Sequence, residues 1–172
     1  MVLINGEIAA HGIAIMSVRE GLEFETALQS DSAPLHDLVA QVLAVAGERV
    51  HVLRDPTRGG LSSALNEIAA QGQVGIRLDE ASIPIGDAVR GACEILGLDP
   101  LYVANEGKCL VIVARDVAEA VLATMRAHPL GQQSAIIGEV VAEHPRTVML
   151  RSRIGGMRVV DMLSGEQLPR IC

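Results

Sequence analysis

Three stretches of this 172-residue chain gather residue types that can do chemistry. Residues 54–60 read RDPTRGG: an apolar run delivers Asp55 to a proline-initiated turn, and Gly59 and Gly60 lead into a helix start. Free amides at a helix N-terminus attract anions, and Arg58 adds a cation to the same turn. The plainer alternative is a strand-to-helix turn capped by Asp55, and the spacing is not that of a Walker loop. Residues 102–108 read YVANEGK and set Asn105, Glu106 and Lys108 in a tight turn. Glu106 offers a carboxylate for general-base work, unless Asn-Glu-Gly serves only the backbone shape of a solvated hairpin. The third stretch is LPRIC, ending at Cys172. Nine residues from Ser164 to Cys172 span about 30 Å when extended, so the sulfur sits at the end of an arm, and its thiolate is the reactive form. A thiol on an arm suits a carrier that loads at one protein surface and unloads at another; the alternative is an accidental cysteine on a disordered end.

The other reactive residues read as structural. His11, in AAHG, is a lone histidine of the capping or packing kind. His36, His51, His128 and His144 form no HxxxH spacing, so no metal site is expected. Cys93 and Cys109 lie in apolar runs and read as core thiols. Three cysteines without a CxxC pair point to reduced thiols and a cytoplasmic location. A net charge of −7 argues against a general polyanion binder, and an aromatic content of 1% leaves few stacking platforms for nucleic acid. No apolar run reaches the roughly 18 residues of a membrane span.

These groups need a scaffold. Strands are expected at 1–5, 49–55, from 74, as a pair within 100–114 separated by the NEG turn, and at 135–141, 146–152 and 156–163. Helices are expected at 11–25 with an interruption near Gly21, from an Asp31 or Ser32 cap through Pro34 to Gly47, and at 61–72, 85–97 and 115–129. Strand–helix alternation followed by a strand-rich end predicts an α+β fold, α/β-like, with a mixed β-sheet flanked by helices. Residues 1–163 form one domain and 164–172 a flexible tail.

The order RDPTRGG, RGACEILGLD, YVANEGK, AHPLG and LPRIC resembles the HypE family of hydrogenase maturation proteins. That family lies within the superfamily of aminoimidazole ribonucleotide synthetase and selenophosphate synthetase. The resemblance runs along essentially the whole chain and implies the C-terminal domain of a two-domain enzyme about twice as long. It implies that the ATP-binding, dimer-forming N-terminal domain is absent here, that ATP and Mg2+ bind mainly there, and that the lone domain is a monomer. The implied chemistry is carbamoylation of Cys172 by HypF and ATP-driven dehydration of the thiocarboxamide to a thiocyanate. Cyanide then passes to iron on the HypC–HypD complex, for a nickel–iron hydrogenase. Glu106 becomes the base that removes nitrogen protons. Asp55, Arg58 and Asn105 become active-site wall, and Pro169 and Arg170 position the arm. The alternatives are an isolated piece that only accepts carbamoyl or binds partners, and a relative that makes a phosphorylated small molecule. One departure stands out: the family commonly has Gly-Asp before its His-Gly, where this chain has Ala9-Ala10 before His11-Gly12.

Overall fold

In the computed structural model residues 1–21 and 29–163 are described. Seven strands form one sheet: β1 (Val2–Ile4), β2 (Val50–Arg54), β3 (Gly75–Asp79), β4 (Leu110–Val113), β5 (Ala135–Val141), β6 (Val148–Arg151) and β7 (Met157–Val159). Their order is β2-β4-β1-β5-β3-β6-β7. Pairing is antiparallel throughout except between β3 and β6, so the sheet is mixed, as expected.

Alternation along the central strands sends side chains to two separate cores. Val2 and Ile4 of β1, with Leu110 and Ile112 of β4, face helices α1 (Ala10–Glu20), α3 (Gly60–Gly72) and α4 (Asp87–Leu96). Leu3, Val111 and Val113 face the other way, onto α2 (His36–Ala46) and α5 (Ala118–Ala127). Helix α2 contributes Leu38, Val42 and Ala46, four residues apart, and α5 contributes Ala118, Val121, Leu122 and Met125, the i, i+3, i+4, i+7 pattern of one helical face. The chain holds one Tyr and one Phe, so aliphatic side chains fill both layers.

Three local expectations are corrected. Residues 100–104 do not form a strand: Asp99 accepts a hydrogen bond from Leu101 N at 3.0 Å, and Pro100–Tyr102 form a 3-10 turn. The backbone that follows is claimed by distant segments, with Gly12 N donating to Ala104 O at 3.1 Å. YVANEGK is therefore a linker packed against α1 and α3, not the bend of a hairpin. Helix α2 starts at His36 with Leu35 at its N-cap, and neither Asp31 nor Ser32 caps it. The Asp31 carboxylate is paired with Lys108 instead, and a Cβ on Gly107 would lie 2.1 Å from the Asp31 carbonyl oxygen. Beyond Gly21, which caps α1 at φ 63°, the expected helix runs into residues 22–28, outside the described residues. The last strand is shorter than expected, ending at Val159.

Candidate active site

Topology decides which loops meet. Strand β4 runs antiparallel between β2 and β1, with Leu110 opposite both Arg54 and Ile4. The C-terminal ends of β1 and β2 and the N-terminal end of β4 therefore share one end of the sheet. The loops leaving them carry the residues before α1, RDPTRGG and ANEGK.

Two buried asparagines tie these loops together. Asn105 is 2% exposed. Its Oδ1 accepts from Ala9 N at 2.7 Å, and its Nδ2 donates to Pro56 O and Val103 O, each at 3.0 Å. Asn105 N also donates to Thr57 O at 3.4 Å. One side chain thus joins the start of α1, the turn after β2 and its own linker. Asn5, equally buried, does the same one layer across. It donates to Gly107 O at 3.1 Å and Leu130 O at 3.0 Å, and accepts from Cys109 N at 2.8 Å. Sequence reasoning missed Asn5; the available signal was an amide side chain closing the apolar run VLI just before a glycine.

Close packing and left-handed backbone account for three glycines. A Cβ on Gly60, at φ 63°, would stand 2.6 Å from the carbonyl oxygens of Leu101 and Val103. A Cβ on Gly12 would meet Val103 Cγ1 at 2.4 Å, and Gly59, at φ 68°, caps α3 in the left-handed region. Ala9 holds φ 71° without being a glycine, which costs an L-residue about 1–2 kcal/mol. Its amide is fixed by Asn105. The turn before His11-Gly12 thus holds a left-handed residue without a glycine, pinned by the Asn105 side chain. His11 Nδ1 lies 2.7 Å from Ser30 Oγ at the surface.

Glu106 sits between Asn105 and Gly107, both anchored, and is itself half-buried with no hydrogen bond among the described residues. Its flanking residues are fixed, and its carboxylate makes no ion pair with another described residue. Asp55 is exposed and accepts from Thr57 Oγ1 at 2.9 Å, a turn contact and not a cap of α3. Arg58 is exposed in the same turn. Lys108, with its side chain only 9% exposed, pairs with Asp31. The pair lines a cavity of about 520 Å3 with Asn5, Glu7, Asp87 and Gln133. A larger cavity, about 680 Å3, lies around Met1, Val52, Ile68, Val113 and Val140; Arg54 of RDPTRGG lines it, but Asp55, Arg58, Asn105 and Glu106 do not.

Cys93 and Cys109 are buried, and burial pushes both thiols up to about 11. They are core residues, as their apolar surroundings in sequence suggest. Pro169, Arg170 and Cys172 lie outside the described residues. The backbone is followed to Leu163, whose Cβ would be 3.5 Å from a Cβ on Gly59. The last described residue before the arm thus lies on the glycine turn of RDPTRGG.

Residues 1–151 match the family of AIR synthase related proteins, C-terminal domain. The chain belongs to that family. The carbamoyl dehydratase HypE of Cupriavidus necator is 60% identical over 171 residues, covering 99% of this chain and 48% of that protein. A crystal structure of the hydrogenase maturation protein HypE in complex with ATP superposes with a TM-score of 0.92 at 45% identity, over 99% of this chain and 52% of that one. In a crystal structure of a HypE–HypF complex the match has a TM-score of 0.91 at 44% identity, over 95% of this chain and 52% of that one. The resemblance carried by the motif order is thus a match along the whole sequence, and the α+β assignment agrees with that of solved HypE structures. The chain spans about half the length of the curated relatives it matches. Among the described residues no helix is long and apolar enough to cross a membrane.

Proposed function

We propose that this chain is the C-terminal part of a HypE-type carbamoyl dehydratase, with Cys172 as the carrier of the one-carbon unit. One observation carries the reading. The arm bearing Cys172 starts from Leu163, against Gly59, in the loop cluster that also fixes Glu106 through Asn105. Nine residues reach about 30 Å when extended, ample for the sulfur to visit Glu106 and to leave again for a partner. Identity to HypE proteins along nearly the entire chain supports the same assignment.

The chemistry follows from the carbamoyl group. HypF delivers it to Cys172, making a thiocarboxamide, S–C(=O)–NH2. Its oxygen is a poor leaving group, so it must first take the γ-phosphoryl group of ATP, whose β–γ bond breaks to give ADP. The C–O bond then breaks, phosphate departs with the oxygen, and the nitrogen loses its protons as the C≡N bond forms. Glu106 is positioned to accept a nitrogen proton: it is half-buried, backed by two anchored neighbours, and engaged by no other described group. Asp55, Arg58 and Asn105 form the wall, and Pro169 and Arg170 guide the arm. The thiocyanate next gives cyanide to iron on a HypC–HypD complex.

No group of three His, Cys, Asp or Glu side chains among the described residues could hold a metal ion. Magnesium and most of the ATP contacts belong to the half of the relatives that this chain does not match. When bound, magnesium neutralises phosphate charge; no step above is routed through it. By itself this chain accepts carbamoyl and binds partners without turning over ATP, and in the longer protein it works within a homodimer in the cytoplasm.

The test is a mass measurement. Full-length protein incubated with HypF, carbamoyl phosphate and ATP gains a carbamoyl adduct that then loses water, and Cys172→Ala abolishes both changes. An adduct retained by that variant sinks the carrier assignment. Phosphate release from ATP by the present chain alone would overturn the division of labour between the two halves.

A further inference from the structure

Of the 14 Lys and Arg residues in the chain, only Lys108 is a lysine, and it stands two positions after Glu106. Its side chain is 9% exposed, and its ammonium group pairs with Asp31, 77 positions earlier and 29% exposed. The pair belongs to a larger contact. Segment 30–33 crosses the ANEGK linker so closely that a Cβ on Gly107, at φ 61°, would lie 2.9 Å from Ala33 N and nearer still to Asp31 O. The segment is also tied to α1, with Ser30 Oγ 2.7 Å from His11 Nδ1 and accepting from Ser32 N at 3.2 Å. As a source of stability the ion pair is poorly made. Two charges taken out of water lose hydration that their attraction seldom repays, and an apolar pair of similar volume often serves as well or better. Here the balance is poorer still, because Asp31 Oδ1 is buried with no hydrogen-bond partner among the described residues. What an ion pair supplies and an apolar contact does not is direction: it sets the register of segment 30–33 on the linker.

We infer that Asp31 and Lys108 are positioning residues, whose ion pair fixes the linker on the C-terminal side of Glu106 and so holds that carboxylate at one place in the site. The inference rests on the reading of Glu106 as the base. On the N-terminal side Asn105 already does this work through Ala9, Pro56 and Val103. Without the ion pair the other side keeps only Asn5, which donates to Gly107 O and accepts from Cys109 N. A reacting group misplaced by about 1 Å loses on the order of a hundredfold in rate. One loosened flank beside one intact flank is expected to cost about tenfold. Loading by HypF makes no use of Glu106 and is unaffected.

The test is the double variant Asp31→Asn with Lys108→Met, which removes both charges; either change alone strands a buried partner. In the present chain its urea midpoint is expected to equal or exceed that of the parent. A lower midpoint, or failure to fold, shows that the pair serves stability and overturns the inference. Backbone order parameters of the Glu106 and Gly107 amides, measured by nuclear magnetic relaxation, are expected to fall from about 0.85 to below about 0.7, with those of β1 and β4 unchanged. Parental values at both amides overturn the inference as well. The second measurement uses full-length protein with HypF, carbamoyl phosphate and ATP. Loading is expected at the parental rate, half-saturation by ATP unchanged, and dehydration at saturating ATP about tenfold slower. Dehydration at the parental rate, or an equal fall in loading and dehydration, counts against positioning and overturns it. If Glu106→Gln dehydrates like the parent, the base reading fails, and the order parameters still decide whether the pair fixes the linker.

Discussion

Asn105 shows why a polar residue inside a protein can matter more than its surroundings. Its three side-chain hydrogen bonds serve Ala9, Pro56 and Val103, and each buried group left without a partner costs about 1–3 kcal/mol. Asn105→Ala is expected to lower stability by about 3 kcal/mol, read as a lower urea midpoint at unchanged slope. Glu106→Gln, next to it, should leave stability and carbamoyl loading intact and stop dehydration; normal water loss in that variant would remove Glu106 from the mechanism. Gly60→Ala should cost about 2–3 kcal/mol, since a methyl group at φ 63° meets two carbonyl oxygens. Glu106, Asp55 and the glycine pair stand out in the sequence by type and spacing. The role of Asn105 as a bolt does not, because two of its partners, Ala9 and Pro56, lie far off in sequence and only the sheet order brings them near. Thiol chemistry offers another check. Cys93 and Cys109, with pKa values pushed to about 11 by burial, should resist a disulfide reagent at pH 8 in the native chain and react only after unfolding.

At the scale of elements, helices were easier to read than turns. The apolar faces of α2 and α5 repeat every three to four residues, and both helices lie within the stretches expected for them. Val103 and Ala104 looked like strand residues by composition, but the nearby Asn105 side chain takes the carbonyl of Val103 and the remote Gly12 that of Ala104, a tertiary partner that leaves no local mark. Asp31 looked like a cap for the same reason: its partner Lys108 is remote in sequence. The open part of the sheet carries its own electrostatics. Hydrogen bonds from Arg77, and then Arg115, hold the Glu139 carboxyl below its ordinary range, and Arg151 does the same to Asp79. A carboxylate with a lowered folded pKa adds stability above its unfolded value near 4, and that contribution vanishes as pH falls through the folded value. Glu139→Gln should therefore lose less melting temperature than the parent between pH 5 and pH 3. The difference should be small and should shrink in salt, since both arginine partners are half or more exposed.

For the molecule as a whole, the sheet order carries information that no single element does. Strand β1, first in sequence, is paired on one side with β4 and on the other with β5. Backbone amides of these three central strands should exchange with solvent only through global unfolding, while those of the edge strands β2 and β7 exchange sooner by local opening. Charge, cysteine usage and the α+β class were legible from composition and pattern. The strand order was not, because it depends on which long loops close, and loop closure costs little more for a long loop than for a short one. During synthesis β1 leaves the ribosome more than a hundred residues before either neighbour exists. One of its edges waits for β4, which ends at Val113, and the other for β5, which ends at Val141. The nascent polypeptide thus has no half-folded sheet to rest in: its central strand stays open on both sides until partners from the far end of the fold arrive.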